Sequence, residues 1–516
     1  MPKNNSANII KATDAKLTDH ATEAQNSKLA RGKPFRQVIA ALIANLGTIN
    51  TGLVFGFSAV AIPQLQDANS TLQIDESQAS WIASLSSAST PIGCILSGYL
   101  MDSIGRRMSL ILTEVPLIIG WILIACASNV NLIYAGRLFV GLGSGMVGAP
   151  ARVYTSEVTQ PHLRGMLSAL ASVSISFGVL FQYTFGSFLT WQVLSIISTI
   201  IPLLAFTLMI FMPETPNYLV AQSKPEEATK SLAKLRGSSY NLGKEIQTLQ
   251  DFTQKNNAKK VSSPKEILQA LMEPATLKPF GILFLYFMMY QFSGVNTITF
   301  YAVEIFETSG TTMNKYTCTI LLGVVRLIFT IVACISLRKC GRRPLTFISG
   351  IGCGVTMVAL GVYMYYKHLW DTADPPIEPV ATWIPVACIF LFTITCTLGF
   401  LVVPWVMIGE IYPQKVRGVV GGLTTCSAHI FVFIVVKTYP FLSHALYVHG
   451  AFMLYGCISL LGTVFFYLCL PETKGKTLQE IEDYFSGRTK TLGTKKQPKD
   501  TVIPPVIKVD KDKLLP

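Results

Sequence analysis

Gln291 and Asn296 stand five positions apart in the stretch QFSGVNTITFY, with Ser293, Thr297 and Thr299 around them. Primary amides carry donors and acceptors but no charge, so this set suits hydrogen bonding to a neutral, hydroxyl-rich solute. Five positions separate two side chains by ~140° on a straight helix of 3.6 residues per turn. Ser293-Gly294 lies between the amides and permits a bend or local unwinding, which turns both toward one cavity. The competing reading is that the amides join neighbouring helices to one another. Trp405, directly after Pro404, offers a flat platform for the apolar face of a ring, unless it is an interfacial or packing tryptophan.

The elements that must hold these groups are read from composition. Half of the 516 residues are apolar, 14% are charged and the mean hydropathy is +0.46, whereas soluble domains carry about 25% charge. Runs of about 20 uncharged residues, the length that crosses ~30 Å of hydrocarbon as a helix, number twelve, from 38–62 to 450–470, with 280–301 as the seventh. The expectation is an all-α polytopic membrane protein of twelve transmembrane helices. Its parts are a tail at 1–37, a six-helix bundle at 38–212, a linker with short helices at 213–279, a second six-helix bundle at 280–470 and a tail at 471–516.

Loop charge sets the orientation. Of the 42 Lys and Arg, only Lys315 and Lys367 fall on one set of loops, and Arg137, Arg152, Arg326 and Lys437 fall inside spans. The rest lie on the other side with both termini, which are therefore expected in the cytosol of a cell-membrane protein. The net charge of +13 belongs to that inner face and to the lipid bilayer, and does not point to nucleic acid. Residues 1–37 lack a short apolar run with a cleavage site, so the first span is expected to serve as its own insertion signal. Asn69-Ser70-Thr71 is the one acceptor triplet on an outer loop, which makes Asn69 a candidate glycosylation site. Nearly all of the eleven cysteines sit in spans, and neither a disulfide framework nor a metal spacing emerges.

The chain repeats its punctuation. Asp102-Ser-Ile-Gly-Arg106-Arg107 follows the second span and Arg338-Lys-Cys-Gly-Arg342-Arg343 the eighth. Glu157 precedes Arg164, and Glu410 precedes Arg417, by the same seven residues; Glu214 and Glu472 sit in matched Pro-Glu-Thr turns. Two repeated halves of six helices are the sequence signature of transporters that rock around a midplane site. The charged motifs suit an inner latch in which the arginines reach Glu157, Glu214, Glu410 and Glu472 when the inner mouth is shut. Loop charges that merely fix topology are the competing reading.

The set GYLMDSIGRR, GRLFVGLGSG, VYTSEVTQPHLRG, PETP, QFSGVNTITFY, CGRRPL, PWVMIGEIYPQKVRG and PETKGKTLQEIE closely resembles the sugar porters of the major facilitator superfamily over roughly residues 37–485. The first span and ASWIASL look most like insect facilitated trehalose transporters. The resemblance implies facilitated passage of a neutral sugar, trehalose or a hexose, by a monomer, with Gln291 and Asn296 on sugar hydroxyls, Trp405 as platform and Phe300-Tyr301 closing the outer side. It also exposes departures. Tyr290 replaces the first Gln of the family's Gln-Gln-x-Ser-Gly-x-Asn, Val402 a hinge proline, Asn217 an arginine and Arg338 a glutamate, so stiffer gating and a weaker latch are expected. Arg326 stands where the family carries a sugar-facing Asn. An Arg at mid-bilayer costs roughly 2.5–3.5 kcal/mol or more unless it faces protein or water. It either recharges the cavity, favouring a polyol, disaccharide or anionic sugar, or disables transport.

Energy coupling is read from absences. No GxxxxGK[ST] loop occurs, so no nucleotide cofactor is implied, and Ser58 stands where the family's proton symporters place an Asp. Glu114, near the inner end of the third span, is expected to snorkel to the cytosol. Facilitated diffusion follows, with a proton-coupled symporter or a non-transporting sugar sensor as alternatives. Ser223 with Glu226, Ser263 with Glu266 and Thr477 with Glu480 are expected to cap short helices at the inner mouth.

Overall fold

The computed structural model describes residues 34–489 apart from 69, 71, 238–239, 258–268, 376 and 414–415. Asn69 and the Ser263–Glu266 box lie outside the described residues. Within these bounds the chain is helical and has no strand, as lipid requires when every backbone N–H and C=O must be satisfied within its own segment.

Ten helices are long and apolar enough to cross a membrane. They are Pro34–Gln66 (helix one), Arg106–Ala125 (three), Val130–Val158 (four), Pro161–Gly186 (five), Trp191–Ile210 (six), Lys315–Lys339 (eight), Arg342–Thr372 (nine), Ile384–Ile411 (ten), Arg417–Ala445 (eleven) and Tyr447–Cys469 (twelve). The other two expected spans are also helical. Helix two, Glu76–Ile104, is rich in serine. Helix seven is broken into Pro274–Tyr290, Gln291–Val295 and Asn296–Phe300, and the short helix Ala302–Thr308 follows outside the expected span.

Helix two explains how a hydroxyl-rich span is tolerated. Ser84 and Thr90 donate to carbonyls one turn back, while Ser89 also donates to Leu138 O at 2.8 Å and Thr90 to Gly141 O at 3.2 Å on helix four. A side chain at Gly141 would strike the backbone of Ser86, so the small residue is what lets the two helices approach closely.

The two sets of six helices meet along a seam whose polar contacts cluster toward the outer side. Lys437 of helix eleven donates to Ser80 at 2.7 Å and lies 3.8 Å over the Trp81 ring of helix two. His444 meets Glu76 at 2.7 Å. Deeper, Tyr183 donates to Thr299 O at 2.7 Å and Ser176 pairs with Thr330 at 2.8 Å. Among the described residues no ion pair joins the two sets at their inner ends. Among the described residues, polar side chains bridge the seam on the outer side, while at the inner ends Arg338 of helix eight stays beside Gly165 of helix five.

Short helices Pro216–Ala221, Pro225–Arg236 and Leu242–Asn257 follow helix six. They share a small apolar core around Leu219, Leu232 and Ile246, and Arg236 ties them to helix four by donating to Val158 O at 2.6 Å. The Thr477–Glu480 box forms as expected. The Ser223–Glu226 box does not: Ser223 takes φ 59°, Lys224 occupies the cap without a side-chain bond, and Pro225 begins the helix. Proline at the first helical turn has no N–H to cap, which displaces the start by one residue.

Candidate substrate site

Helix seven positions the two amides by ceasing to be an α-helix between them. Gly294 has φ +90°, and a Cβ there would stand 2.9 Å from the Tyr455 ring, so both its backbone and its surroundings require glycine. The wide turn at Gln291–Val295 brings the amides together, and Asn296 Nδ2 donates to Gln291 Oε1. Both residues are buried. Gln291 Nε2 and Asn296 Oδ1 bond to no protein group, yet neither is among the sealed polar atoms that lack a partner, so both keep contact with solvent. The amides are half committed to each other and half available.

Beside this segment lies a narrow pocket, continuous with solvent, whose cavity volume of about 20 Å³ is room for about one water in this arrangement. Val295, Ile298 and Thr299 of helix seven, Arg326 of helix eight, Thr393 and Thr397 of helix ten, and Tyr183 of helix five are in its wall. Arg326 is 7% exposed; its Nη1 donates to Thr299 Oγ1 at 2.8 Å, and its Nε is buried with no partner. Facing the pocket, it does not face lipid.

Of the expected sugar-binding residues, only Arg326 is in the pocket wall; Gln291, Asn296 and Trp405 are not. Trp405 is half-buried on the inner side of the break in helix ten and packed edge-on against Phe287 at 4.9 Å. The Arg152 guanidinium lies 5.5 Å over its ring. The lost hinge proline at Val402 has not removed the break: Ile384–Leu398 ends and Val403–Ile411 restarts across Gly399, whose Cβ would strike Leu345 O. Close packing on helix nine, with Pro404 at the restart, suffices to interrupt the helix.

On the outer side Phe300 packs on Phe55 of helix one at 5.4 Å between centroids. Tyr301 donates to Val436 O at 3.1 Å and packs against Tyr439 of helix eleven, ring centroids 5.0 Å apart and planes tilted by 43°.

At the inner ends the arginine–glutamate pairs lie within each half. Arg106 meets Glu157 at 3.2 Å, and Arg342 meets Glu410 at 2.5 Å and 3.1 Å. Each of these pairs lies within one half, so neither bridges the seam between the halves. Glu214 and Glu472 do not bind arginine side chains; they accept from the backbone N–H groups of Arg106, Arg107, Arg342 and Arg343. Each carboxylate thereby caps a helix N-terminus, where the dipole favours negative charge. Gly105 leaves the room, since a Cβ there would lie 2.5 Å from Glu214 Oε2. Arg107 and Arg343 close carbonyls at the ends of helices six and twelve. Arg164 and Arg417 bond carbonyls of Thr159 and Tyr412 in their own turns. Asp102 is exposed, and no ion pair involves it among the described residues.

Three features were missed. Glu114 does not snorkel: it is 2% exposed, its Oε1 lies against Gly47, and its Oε2 has no partner. Arg137 is fully buried and holds helices one and two through Val54 O, Ile82 O, Ser58 and Ser86. Tyr183 and Lys437 build the seam. A stricter reading of intramembrane charge signals Arg137, Lys437 and Glu114; Tyr183 carries no sequence signal.

The family described as sugar (and other) transporters matches residues 40–485. The facilitated trehalose transporter Tret1 of Bombyx mori is 34% identical over 90% of this chain and 90% of its own. Facilitated trehalose transporter Tret1-1 of Drosophila sechellia is 33% identical over 89% of this chain, which spans 53% of that relative's length. The inward open structure of the xylose transporter XylE from E. coli superposes with a TM-score of 0.69 at 23% identity, covering 86% of this chain and 98% of that one. A partially occluded inward open form gives 0.68. The chain belongs to the sugar transporter family and has the major facilitator fold.

Proposed function

We propose that this protein carries a neutral sugar, trehalose or a hexose, across the plasma membrane by facilitated diffusion, as a monomer with both termini in the cytosol. Two six-helix bodies, 38–212 and 280–470, rock about the central pocket. The observation that carries the reading is the break in helix seven, which gathers two uncharged amides next to Val295 of a small pocket that the second body lines and Tyr183 of the first body closes. Hydroxyls of a sugar replace water on Gln291 Nε2 and Asn296 Oδ1 without any charge being buried. The trehalose transporters among the relatives support this substrate class. Purified protein in proteoliposomes is expected to exchange radiolabelled trehalose or glucose saturably, and Gln291→Leu with Asn296→Leu to cut the rate by an order of magnitude or more. Binding without flux leaves a sensor in place of a carrier.

Proton symport is the second reading, and the position of Glu114 favours it. A buried carboxyl with no cation partner is the kind of group on which protons move through transporters. Uptake that rises steeply with an inward proton gradient, and loses that dependence in Glu114→Gln, replaces the uniporter with a symporter.

A further inference from the structure

Arg326 has donors and charge that the protein leaves unanswered. A guanidinium carries five N–H groups and no acceptor, and Arg326 makes one side-chain hydrogen bond, from Nη1 to Thr299 Oγ1. Nε has no partner and Nη2 bonds to no protein atom. Nε is sealed from solvent, whereas Nη2 is not among the sealed atoms and is the donor that a ligand oxygen can reach. Thr299 Oγ1 holds Nη1 in place and is itself fixed by donating to Val295 O at 2.8 Å.

No carboxylate is in the pocket wall, and among the described residues Arg326 enters no ion pair. The hydroxyls of Thr393 and Thr397 donate to helix carbonyls at 2.9 Å and 2.6 Å, leaving oxygen lone pairs and no counter-charge. Sugar hydroxyls fill hydrogen-bond positions but leave the positive charge uncompensated.

A second cation marks the way in. Arg152 is exposed on the inner side, over Trp405, and it too enters no ion pair among the described residues. Unpaired cations of one sign along a low-dielectric cleft raise the local concentration of anions.

We propose that the central pocket binds an anionic group at Nη2 of Arg326, with Arg152 drawing it in from the inner mouth. The ligand chemistry is a carboxylate or a similarly small monoanion. It is either part of the solute, as in a sugar acid, or a free anion that enters with a neutral sugar. This inference rests on the sugar-transport reading for its second partner, but anion binding itself is independent of flux.

Binding is tested first, on the purified full chain in detergent. Glucuronate is expected to raise the melting temperature more than glucose at equal concentration, and Arg326→Gln to abolish that difference. Arg326→Lys, which keeps the charge and loses Nη2, retains part of it and guards against a variant that fails to fold. Uptake in proteoliposomes then separates the sources. For an anion carried on the solute, the ratio of glucuronate to glucose uptake falls at least tenfold in Arg326→Gln. For a free anion, glucose uptake falls when chloride is replaced by a bulky sulfonate, and Arg326→Gln removes that sensitivity. Neither glucuronate nor chloride altering melting in the wild type, with glucose uptake indifferent to both, overturns the proposal while leaving sugar transport standing. Glucuronate stabilisation without any sugar flux overturns the transport reading and leaves the anion site.

Discussion

Arg137 and Arg326 each bring a guanidinium into the membrane interior, and the protein surrounds them in opposite ways. Arg137 donates from Nε, Nη1 and Nη2 to two helix carbonyls and two serine hydroxyls within 3.0 Å, and its ring neighbour Phe57 lies 5.6 Å away. Arg326 has one such bond and a pocket. A buried charge that is fully hydrogen-bonded rigidifies its surroundings, whereas one left open is a demand on whatever enters. The first half of the chain therefore holds its intramembrane arginine as a fastener, and the second half holds its own as a receptor.

Substituting each arginine by leucine is the largest test of that contrast. Breaking a buried hydrogen-bonded charge costs about 3–5 kcal/mol, so Arg137→Leu is expected to lower the melting temperature of the purified protein sharply or to prevent its isolation. Arg326→Leu removes an uncompensated charge and is expected to leave melting unchanged or raise it. Equal losses in the two variants break the comparison.

Gly294→Ala probes the next largest effect. A non-glycine residue forced to positive φ costs about 1–3 kcal/mol, and the added methyl meets Tyr455 and Met357. Uptake is expected to fall tenfold or more because straightening helix seven pulls Gln291 away from Asn296. Gly98→Ala on helix two, with nothing within 4 Å of its Cβ position, is expected to change neither melting nor uptake.

How much of this was legible follows from what each signal depends on. Hydrophobic run length and loop charge are local quantities, and they located the spans; the Ser293-Gly294 pair announced the break because glycine is the residue that positive φ selects. The partner of each inner-face charge was not legible. Glu214 and Glu472 share their motif with ordinary loop acids, and only folding shows that helices three and nine begin beside them. Glu114 was misread because depth along a span does not say which face of a helix a side chain occupies. The duplicated motif also hides a difference between the halves: Glu410 takes two bonds from Arg342 and a third from Thr473 at 2.7 Å, while Glu157 takes one from Arg106 and leaves Oε2 unpartnered. Bidentate charge-assisted pairing is worth roughly 1–2 kcal/mol and a single partly exposed contact under about 1. Glu410→Gln is thus expected to destabilise the protein more than Glu157→Gln, measured by melting and by a double-mutant cycle with each arginine.

The smallest expected effect concerns the outer mouth, where Glu76 pairs with His444 and Glu307 with Lys315 while Glu304 enters no ion pair among the described residues. Glu304, on the short helix Ala302–Thr308 beyond the pocket, is held up from the usual 4.5 to about 7, by burial first and then by the charges of Glu76 and Glu307. Tyr301 and Tyr439 lie in the same group, and His444 bonds Glu76. When the outer mouth opens, water returns Glu304 to the ordinary carboxylate range. The outer-closed arrangement therefore binds this proton more tightly than the open one, so acidification from about pH 7 toward 4.5 favours closure, and the gain vanishes above pH 7. Solvent reaching part of the side chain screens the effect, which limits it to less than about a tenfold change in the ratio of closed to open. Spin labels on Gln78 and Leu446 report the width of the mouth, and the short-distance population is expected to grow between pH 8 and pH 5.5. Glu304→Gln, neutral at every pH, is expected to show the acid population throughout. His444→Gln separates the contributions, because the His444 ring also bonds Glu76 across the mouth. A pH response that survives in Glu304→Gln and disappears in His444→Gln assigns the outer closure to the histidine pair and removes the carboxyl from it.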